Sequence, residues 1–156
     1  MSIRPATPTD ATAIAAIWNP IIRDTAITFT DAEKTEADLR AMIAGQPTWV
    51  HDTGTVTGFA TFGTFRGGPG YRHTGELSLF LAPDTRGQGH GAALLAALET
   101  PARARGIHVL VAGIAGSNFG AIRFFARHGY TETGRMPELG RKFGAWHDLV
   151  LMQKTL

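Results

Sequence analysis

A glycine-rich hexapeptide in the middle of the chain has the composition of a phosphate-binding turn. It follows an apolar stretch that we predict to be a strand, Leu77–Leu81, and it precedes a predicted helix. Alternating glycines let the backbone curl with its N–H groups facing inward, and a helix N-terminus adds free donors and a positive dipole end. A flanking arginine adds a charge-assisted hydrogen bond. We therefore predict a pyrophosphate cradle formed by Arg86, Gly87, Gln88, Gly89, His90 and Gly91.

Glycines at a strand–helix junction also occur in a simple tight turn, and several kinds of phosphate site share them. The loop of nucleoside triphosphatases ends in Gly-Lys-Ser/Thr, but this chain contains no Gly-Lys pair. A dinucleotide fingerprint is met at Gly87, Gly89 and Ala92, yet it also needs an acidic residue about 20 positions later. The window around Ile107–Val111 has no Asp or Glu, which disfavours a nicotinamide-dependent oxidoreductase.

The third kind of site is the coenzyme A turn of the GNAT superfamily of N-acetyltransferases. Its pattern is Arg/Gln-x-x-Gly-x-Gly/Ala, which Arg86, Gly89 and Gly91 match. The chain resembles this superfamily along almost its whole length, and it is most similar to the phosphinothricin and methionine sulfoximine acetyltransferase branch. The segments that carry the resemblance are Ile3–Ala6, Tyr71–Glu76, Ile114–Asn118 and Lys142–Asp148.

The resemblance implies an α/β fold with a mixed central sheet, a splayed central strand and helices on both faces. It also implies acetyl-CoA as the acyl donor and a small amino acid-like amine as the acceptor, in a homodimer. In such folds the pantetheine arm pairs with the exposed backbone of the splayed strand. That assigns the arm to Leu79, Phe80 and Leu81, and its polar contacts to Asn118.

Amine acetylation requires a base, because an ammonium group has no lone pair with which to attack a thioester. Glu76 is our candidate, since it opens the strand that leads to the glycine turn and matches the family's glutamate. The alternative for Glu76 is a solvated carboxylate at a strand edge. A backbone N–H of the splayed strand, at Phe80 or Leu81, is the expected donor to the developing oxyanion.

The acceptor side is assigned by resemblance alone. A guanidinium fork binds two oxygens at once, so paired arginines suit an acceptor with a carboxylate or phosphinate. Ordinary loop arginines and core aromatic residues remain the alternative, as do a core Trp146 and a Lys142–Asp148 ion pair. The residues assigned to the acceptor are Phe29, Arg66, Tyr71, Arg72, Thr74, Lys142 and Trp146.

Phe125 departs from the pattern of the resembling families. The wider superfamily often has Tyr at this helical position, and the branch has His, whereas Phe neither donates nor accepts a proton. Either the thiolate leaves without a side-chain acid, which a thiol pKa near 8.5 permits, or another group substitutes. This departure also keeps open a rival hypothesis, a non-catalytic acyl-CoA-binding module of the same fold.

Composition excludes several other classes of protein. The 156 residues are 44% hydrophobic and only 18% charged, which predicts one globular domain over residues 1–156. The chain has no cysteine, and its six histidines are too widely spaced for a local metal site, so we expect no metal. A net charge of +2 gives no reason to expect nucleic acid binding. Without a long apolar run or a signal-peptide pattern, we expect no membrane partner and a cytoplasmic location.

The elements that must position these residues alternate between strands and helices. Isoleucines at helical spacing predict a helix that begins near Thr9 and is kinked or restarted at Pro20. A near-continuous apolar run, Ile107–Ile114, predicts a strand buried on both faces. Pro101 lies inside the predicted helix Gly91–Arg105, where we expect a bend. Tyr130–Thr133 and Asp148–Lys154 are predicted as the final strands.

Overall fold

A computed structural model describes residues 2–156. A seven-stranded mixed sheet forms its centre, in the order β1-β2-β3-β4-β5-β7-β6, and β4 and β5 are its only parallel neighbours among the described residues. The strands are β1 (Ser2–Pro5), β2 (Thr48–Asp52), β3 (Val56–Thr64), β4 (Thr74–Leu81), β5 (Val109–Ala115), β6 (Thr131–Lys142) and β7 (Ala145–Thr155). The helices are α1 (Ala11–Asp24), α2 (Glu36–Gly45), α3 (His90–Ala104) and α4 (Phe119–Arg127).

Each face of the sheet is buried by two helices. On one face, α1 and α2 bury an apolar cluster that includes Ile14, Leu39 and Phe59. On the other, α3 and α4 bury a larger cluster that includes Leu94 and Phe125. The α/β class with helices on both faces is therefore confirmed. Within residues 2–156, every helix is too short or too polar to cross a membrane.

The splay of the central strand is visible in the pairing of β4 with β5. The two strands pair from Thr74–Val109 to Leu77–Ala112 and then separate. Beyond that point β4 stays paired with β3 as far as Leu81, and β5 stays paired with β7 as far as Ala115. Each strand therefore keeps its outer partner and loses its inner one. The backbone on the inner edge of β4 is left available to another extended group.

Both helix-interior prolines lie in continuous helices. Pro20 falls inside α1, which runs unbroken from Ala11 to Asp24, so the expected restart does not occur. Pro101 lies in the same way inside α3. A proline removes one helical hydrogen bond, and the buried residues on either side, such as Ile17 and Ile21 in α1, keep the helix packed on the sheet. Tertiary packing thus keeps both helices continuous across their prolines, and the expected bend at Pro101 stays a prediction.

The last two strands form a hairpin longer than the sequence predicts. Its tight turn is Phe143-Gly144, where both residues have positive φ, 53° and 70°. Glu138, also at positive φ, lies in a bulge of β6, and Asp148 accepts its backbone N–H at 2.9 Å. The mixture of polar residues, Gly and Pro in β6 hides the alternation that predicts strands, because the bulge shifts the side-chain period.

Two stacked histidines lie where the glycine turn leads into α3. His51 of β2 and His90 of α3 have ring centroids 3.8 Å apart and are 1% and 8% exposed. Burial, and then the nearby charge of His90, lower the pKa of His51. The Nδ1 atom of His51 lies 2.7 Å from the Thr57 hydroxyl, which keeps the neutral ring hydrogen-bonded. The neutral form of His51 is therefore the one that fits the fold.

Stability is expected to depend on pH through His51. Because the pKa of His51 is lower in the folded state, the unfolded chain binds the proton more readily. The contribution of His51 to the free energy of unfolding is therefore fully present above about pH 6.5 and is lost as the pH falls. One proton contributes at most about 1.4 kcal/mol per pH unit. Urea unfolding between pH 5 and 7.5 measures the slope, which should be smaller in His51→Asn. An identical slope in the variant contradicts this role.

Candidate active site

The separation of β4 from β5 creates a narrow cleft of about 80 Å³. We call it the slot; its walls are the second half of β4, the end of β5 and the start of α4. Of the residues that the sequence assigns to a pantetheine arm, Leu79, Phe80 and Asn118 line the slot. Leu81 lies at the end of β4, opposite Gly58 of β3. The Asn118 side chain also caps α4 by accepting the N–H of Ala121, which leaves its NH₂ group for a ligand.

The glycine turn immediately precedes α3 and is open to solvent. Gly87 and Gly89 have φ of 77° and 84°, and a Cβ atom at either position would meet nothing within 4 Å. Their conformation is the left-handed one that favours glycine, and the open space in front of them suits the close approach of an anion. Gly89 is the N-cap of α3, so the free N–H groups of the first helical turn follow directly.

In the predicted cradle, two side chains point away from the open turn, and Gly91 has no side chain. The Gln88 amide donates to the carbonyl of Asp84 at 3.0 Å, and His90 is stacked inward on His51. A Cβ at Gly91 would approach the Phe124 ring at 3.3 Å, so this glycine allows α3 to pack closely against α4. Gln88, His90 and Gly91 therefore offer an anion only their backbone, whereas the exposed Arg86 offers its side chain.

Glu76 lies on the same face of β4 as Ser78 and Phe80, because side chains alternate along a strand. It is two residues before the slot begins to widen, and a Cβ at Gly113 of β5 would lie 3.3 Å from its Oε1 atom. Glu76 is exposed by its accessible surface, and partial desolvation beside β5 raises the pKa of its carboxyl group. A carboxylate whose pKa is raised toward neutrality is better matched to proton abstraction than a fully solvated one.

The loop before β4 borders a second cleft, of about 290 Å³. Tyr71, Arg72 and Thr74 line it, together with Arg105. The Arg66 guanidinium lies over the Tyr71 ring, 5.6 Å from its centroid. This cleft adjoins β4 at Thr74, at the opposite end of the strand from the slot, so Glu76 stands between the two openings.

Phe29 lies in the connection between α1 and α2. Its ring covers Gly140 of β6 so closely that a Cβ there would clash with it, and it stacks on His147 with centroids 5.7 Å apart. The hairpin formed by β6 and β7 thus fixes the position of Phe29. Its neighbour Ile27 reaches the slot.

Lys142 and Trp146 differ most from the sequence-based assignment. Lys142 is only 5% exposed, and its ammonium group donates to the backbone carbonyls of Ile22, Thr25 and Thr28. Trp146 is 59% exposed, with the Arg141 guanidinium 4.4 Å from its ring centroid. The alternative of a core Trp146 with a Lys142–Asp148 ion pair is wrong, because Asp148 pairs instead with Arg135 at 3.3 Å.

Three slot residues carry no recognisable signal in the sequence. Ile27 lies in an irregular connection, Ser78 is one polar residue in an apolar strand, and Gly113 interrupts β5. Phe125, the residue that departs from the family pattern, lines the slot, and its ring lies edge-on to that of Tyr130 with centroids 5.1 Å apart. In the described residues, no three His, Asp or Glu side chains converge as metal ligands would.

Comparison with known proteins agrees with this architecture. Residues 15–130 match the model of the Acetyltransferase (GNAT) family. L-amino acid N-acyltransferase MnaT of Escherichia coli is 41% identical over 100% of this chain and 94% of its own length. L-methionine sulfoximine/L-methionine sulfone acetyltransferase of Salmonella typhimurium is 39% identical, over 100% of this chain and 95% of its own.

A solved structure extends the agreement to three dimensions. It is a putative acetyltransferase, yncA, from Salmonella typhimurium with its cofactor acetyl-CoA, and it superimposes with a TM-score of 0.95 at 39% identity. The alignment covers 100% of this chain and 94% of that one. Together with the splayed β4–β5 pair and the open glycine turn, these matches show that the chain is an N-acetyltransferase and belongs to the GNAT family.

Proposed function

We propose that the protein transfers the acetyl group of acetyl-CoA to the amino group of a small amino acid-like acceptor. The observation that carries this proposal is the position of Glu76, a carboxylate with a raised pKa at the point where β4 and β5 separate. The Salmonella typhimurium relative, an L-methionine sulfoximine/L-methionine sulfone acetyltransferase, supports an acceptor of that type.

The donor would lie along the slot. The open N–H groups at Gly87 and Gly89, with Arg86, suit the pyrophosphate, and the unpaired edge of β4 at Leu79–Leu81 suits the amides of the pantetheine arm. This arrangement directs the thioester toward Glu76, on the side of the sheet that carries α1 and α2. The acceptor amine would then approach from the Glu76 side.

The reaction needs one proton acceptor and one oxyanion donor. Glu76 takes a proton from the acceptor ammonium, directly or through water, so that the nitrogen lone pair attacks the thioester carbon. A backbone N–H at Phe80 or Leu81 donates to the oxygen as it becomes negative. Carbon–sulfur cleavage then releases the thiolate, and the attacking nitrogen loses its second proton to this sulfur or to water. The ordinary thiol pKa near 8.5 lets the thiolate leave without a side-chain acid at the position of Phe125.

Arg66 and Arg72 are our proposed contacts for an acidic group of the acceptor. Both belong to the exposed loop that precedes β4, and Arg72 borders the second cleft beside Thr74. Because the loop is exposed, we expect a contact at the lower end of the range for charged hydrogen bonds, about 1.5 kcal/mol.

Arg72→Ala should therefore raise the KM for the acceptor by about tenfold and leave the KM for acetyl-CoA nearly unchanged. Steady-state kinetics with each substrate varied in turn measures the two constants. Arg40→Ala, which removes an exposed arginine paired with Glu36 on α2, is the matched control. Equal effects on both substrates would assign Arg72 a structural role.

A thiol-release assay tests the proposed function directly. Acetyl-CoA is supplied with a panel of amino acids, methionine sulfoximine, methionine sulfone and phosphinothricin. Turnover with one or more acidic acceptors is the expected result. Tight coenzyme A binding without turnover on any acceptor would contradict it and would favour a binding module.

We also propose that the protein is a homodimer, as the resemblance implies. The hairpin of β6 and β7 exposes four large apolar side chains on or beside an edge strand of the sheet, and such patches are typical of contact surfaces. They are Met136, Leu139, Phe143 and Trp146. Analytical ultracentrifugation distinguishes a dimer from a monomer.

A further inference from the structure

Lys142 occupies an unusual position for a lysine. It ends β6 at the tip of the last hairpin, yet its side chain is buried at the end of α1. The ammonium nitrogen lies 2.6 Å from the Ile22 and Thr25 carbonyl oxygens and 2.8 Å from that of Thr28. Its three N–H donors therefore match three backbone acceptors, one of them in the last turn of a helix.

The segment held by Lys142 is the connection between α1 and α2, residues 25–35, which we call the α1–α2 loop. At its far end, the Asn19 side chain donates to the carbonyl of Lys34 and accepts its N–H, at 2.9 and 2.8 Å. At its near end Lys142 donates to the Thr25 and Thr28 carbonyls, and the Thr25 hydroxyl donates to the Ile21 carbonyl at 2.6 Å. Between these two anchors, Ile27 enters the slot and Phe29 rests on the hairpin.

The chemistry of the contact explains why the residue is a lysine. The carbonyls at a helix C-terminus carry partial negative charge and have no helical partner, so a cation is stabilised there. An ammonium group is compact and tetrahedral, whereas a guanidinium is a planar fork that does not fit three converging acceptors. Removal of Lys142 would leave those buried carbonyls without a hydrogen-bond donor. The folded state would then carry the uncompensated free-energy cost of their desolvation.

We propose that Lys142 is a positioning residue, which fixes the α1–α2 loop so that Ile27, supported by the neighbouring Phe29, forms the acceptor-side wall of the slot. The inference rests on the proposed function, because it takes the Glu76 side of the slot as the acceptor site. It replaces direct substrate contact, the role that the resemblance implies for Lys142, with an action through the loop.

Lys142→Met keeps the length and apolar body of the side chain and removes the donors. We expect the KM for the acceptor to rise by at least tenfold, with the KM for acetyl-CoA changed less than twofold. Amide hydrogen exchange in residues 25–30, measured by mass spectrometry without substrates, should become faster than in the wild type. The exchange readout does not depend on activity, so it still applies if no acceptor in the panel is turned over.

Lys154→Met is the matched control, since this half-buried lysine pairs at 2.8 Å with Glu99 of α3, on the opposite face of the sheet from α1. Both lysine variants should have a lower melting temperature than the wild type. In Lys154→Met, however, the KM for the acceptor and the hydrogen exchange of the α1–α2 loop should stay at wild-type values. If Lys142→Met does not fold, Phe29→Ala tests the wall instead. This variant removes a half-buried ring next to Ile27, and it should also raise the KM for the acceptor.

Unchanged loop exchange in Lys142→Met, or equal effects of the two lysine variants on the acceptor KM, would overturn the proposal. If Lys142→Met does not fold, an unchanged acceptor KM in Phe29→Ala would do so as well. Faster loop exchange in a protein that acetylates no acceptor would support the contact of Lys142 with the loop while contradicting the proposed function.

Discussion

Glu76→Gln is expected to lower kcat by about 10²–10⁴, because it keeps the shape and polarity of the side chain and removes the proton acceptor. The affinity for acetyl-CoA should survive, since Glu76 lies away from the glycine turn. The melting temperature should change little, because Glu76 is exposed to solvent. Stopped-flow thiol release and thermal melting separate the two effects.

The pH profile gives an independent test of Glu76. The wild-type rate should rise with pH as Glu76 and the acceptor amine lose their protons, and a raised pKa places the acid limb nearer to neutrality than an ordinary glutamate would. In Glu76→Gln that limb should disappear, and activity should recover in part at high pH, where free amine is abundant. Glu132→Gln, an exposed carboxylate of β6, serves as the control. Full kcat at neutral pH in Glu76→Gln would assign the deprotonation to another group.

Gly89→Val is expected to weaken acetyl-CoA binding by about a hundredfold. A β-branched residue is strained at φ of 84°, by roughly 1–2 kcal/mol, and its side chain fills the open space that a phosphate needs. The phosphate would lose two charge-assisted hydrogen bonds from the backbone, each worth about 1.5 kcal/mol. Together these correspond to an increase of about a hundredfold in the Kd for acetyl-CoA. Isothermal titration calorimetry with acetyl-CoA measures the change in Kd.

Gly54→Val provides the matched control, because Gly54 has a similar φ of 96° and open surroundings in the hairpin between β2 and β3. It introduces comparable strain far from the turn and should leave the Kd for acetyl-CoA unaltered. A folded Gly89→Val with wild-type affinity would contradict the assignment of the turn. Binding of NADH to the wild type would support the alternative hypothesis of a nicotinamide-dependent oxidoreductase, which the missing acidic residue disfavours.

Short-range signals in the sequence predict the α/β class and the glycine turn that we propose as the donor site. An apolar strand, a glycine turn and a helix follow one another within Leu77–Ala104, and hydrogen bonding and φ requirements act over just these distances. The same holds for the α4 cap at Asn118, whose side chain accepts the N–H three residues later. A strong local pattern survives folding when tertiary packing supports it.

Tertiary structure decided where charged and polar side chains of the remote segments point. Lys142 and Ile22 are 120 residues apart, and no local rule predicts that a lysine after a polar strand turns inward to hold a helix end. His90 is similar, because its burial depends on a partner in β2. A buried charge or ring is stable only where distant groups supply its hydrogen bonds and contacts, and those groups meet only after the chain has folded.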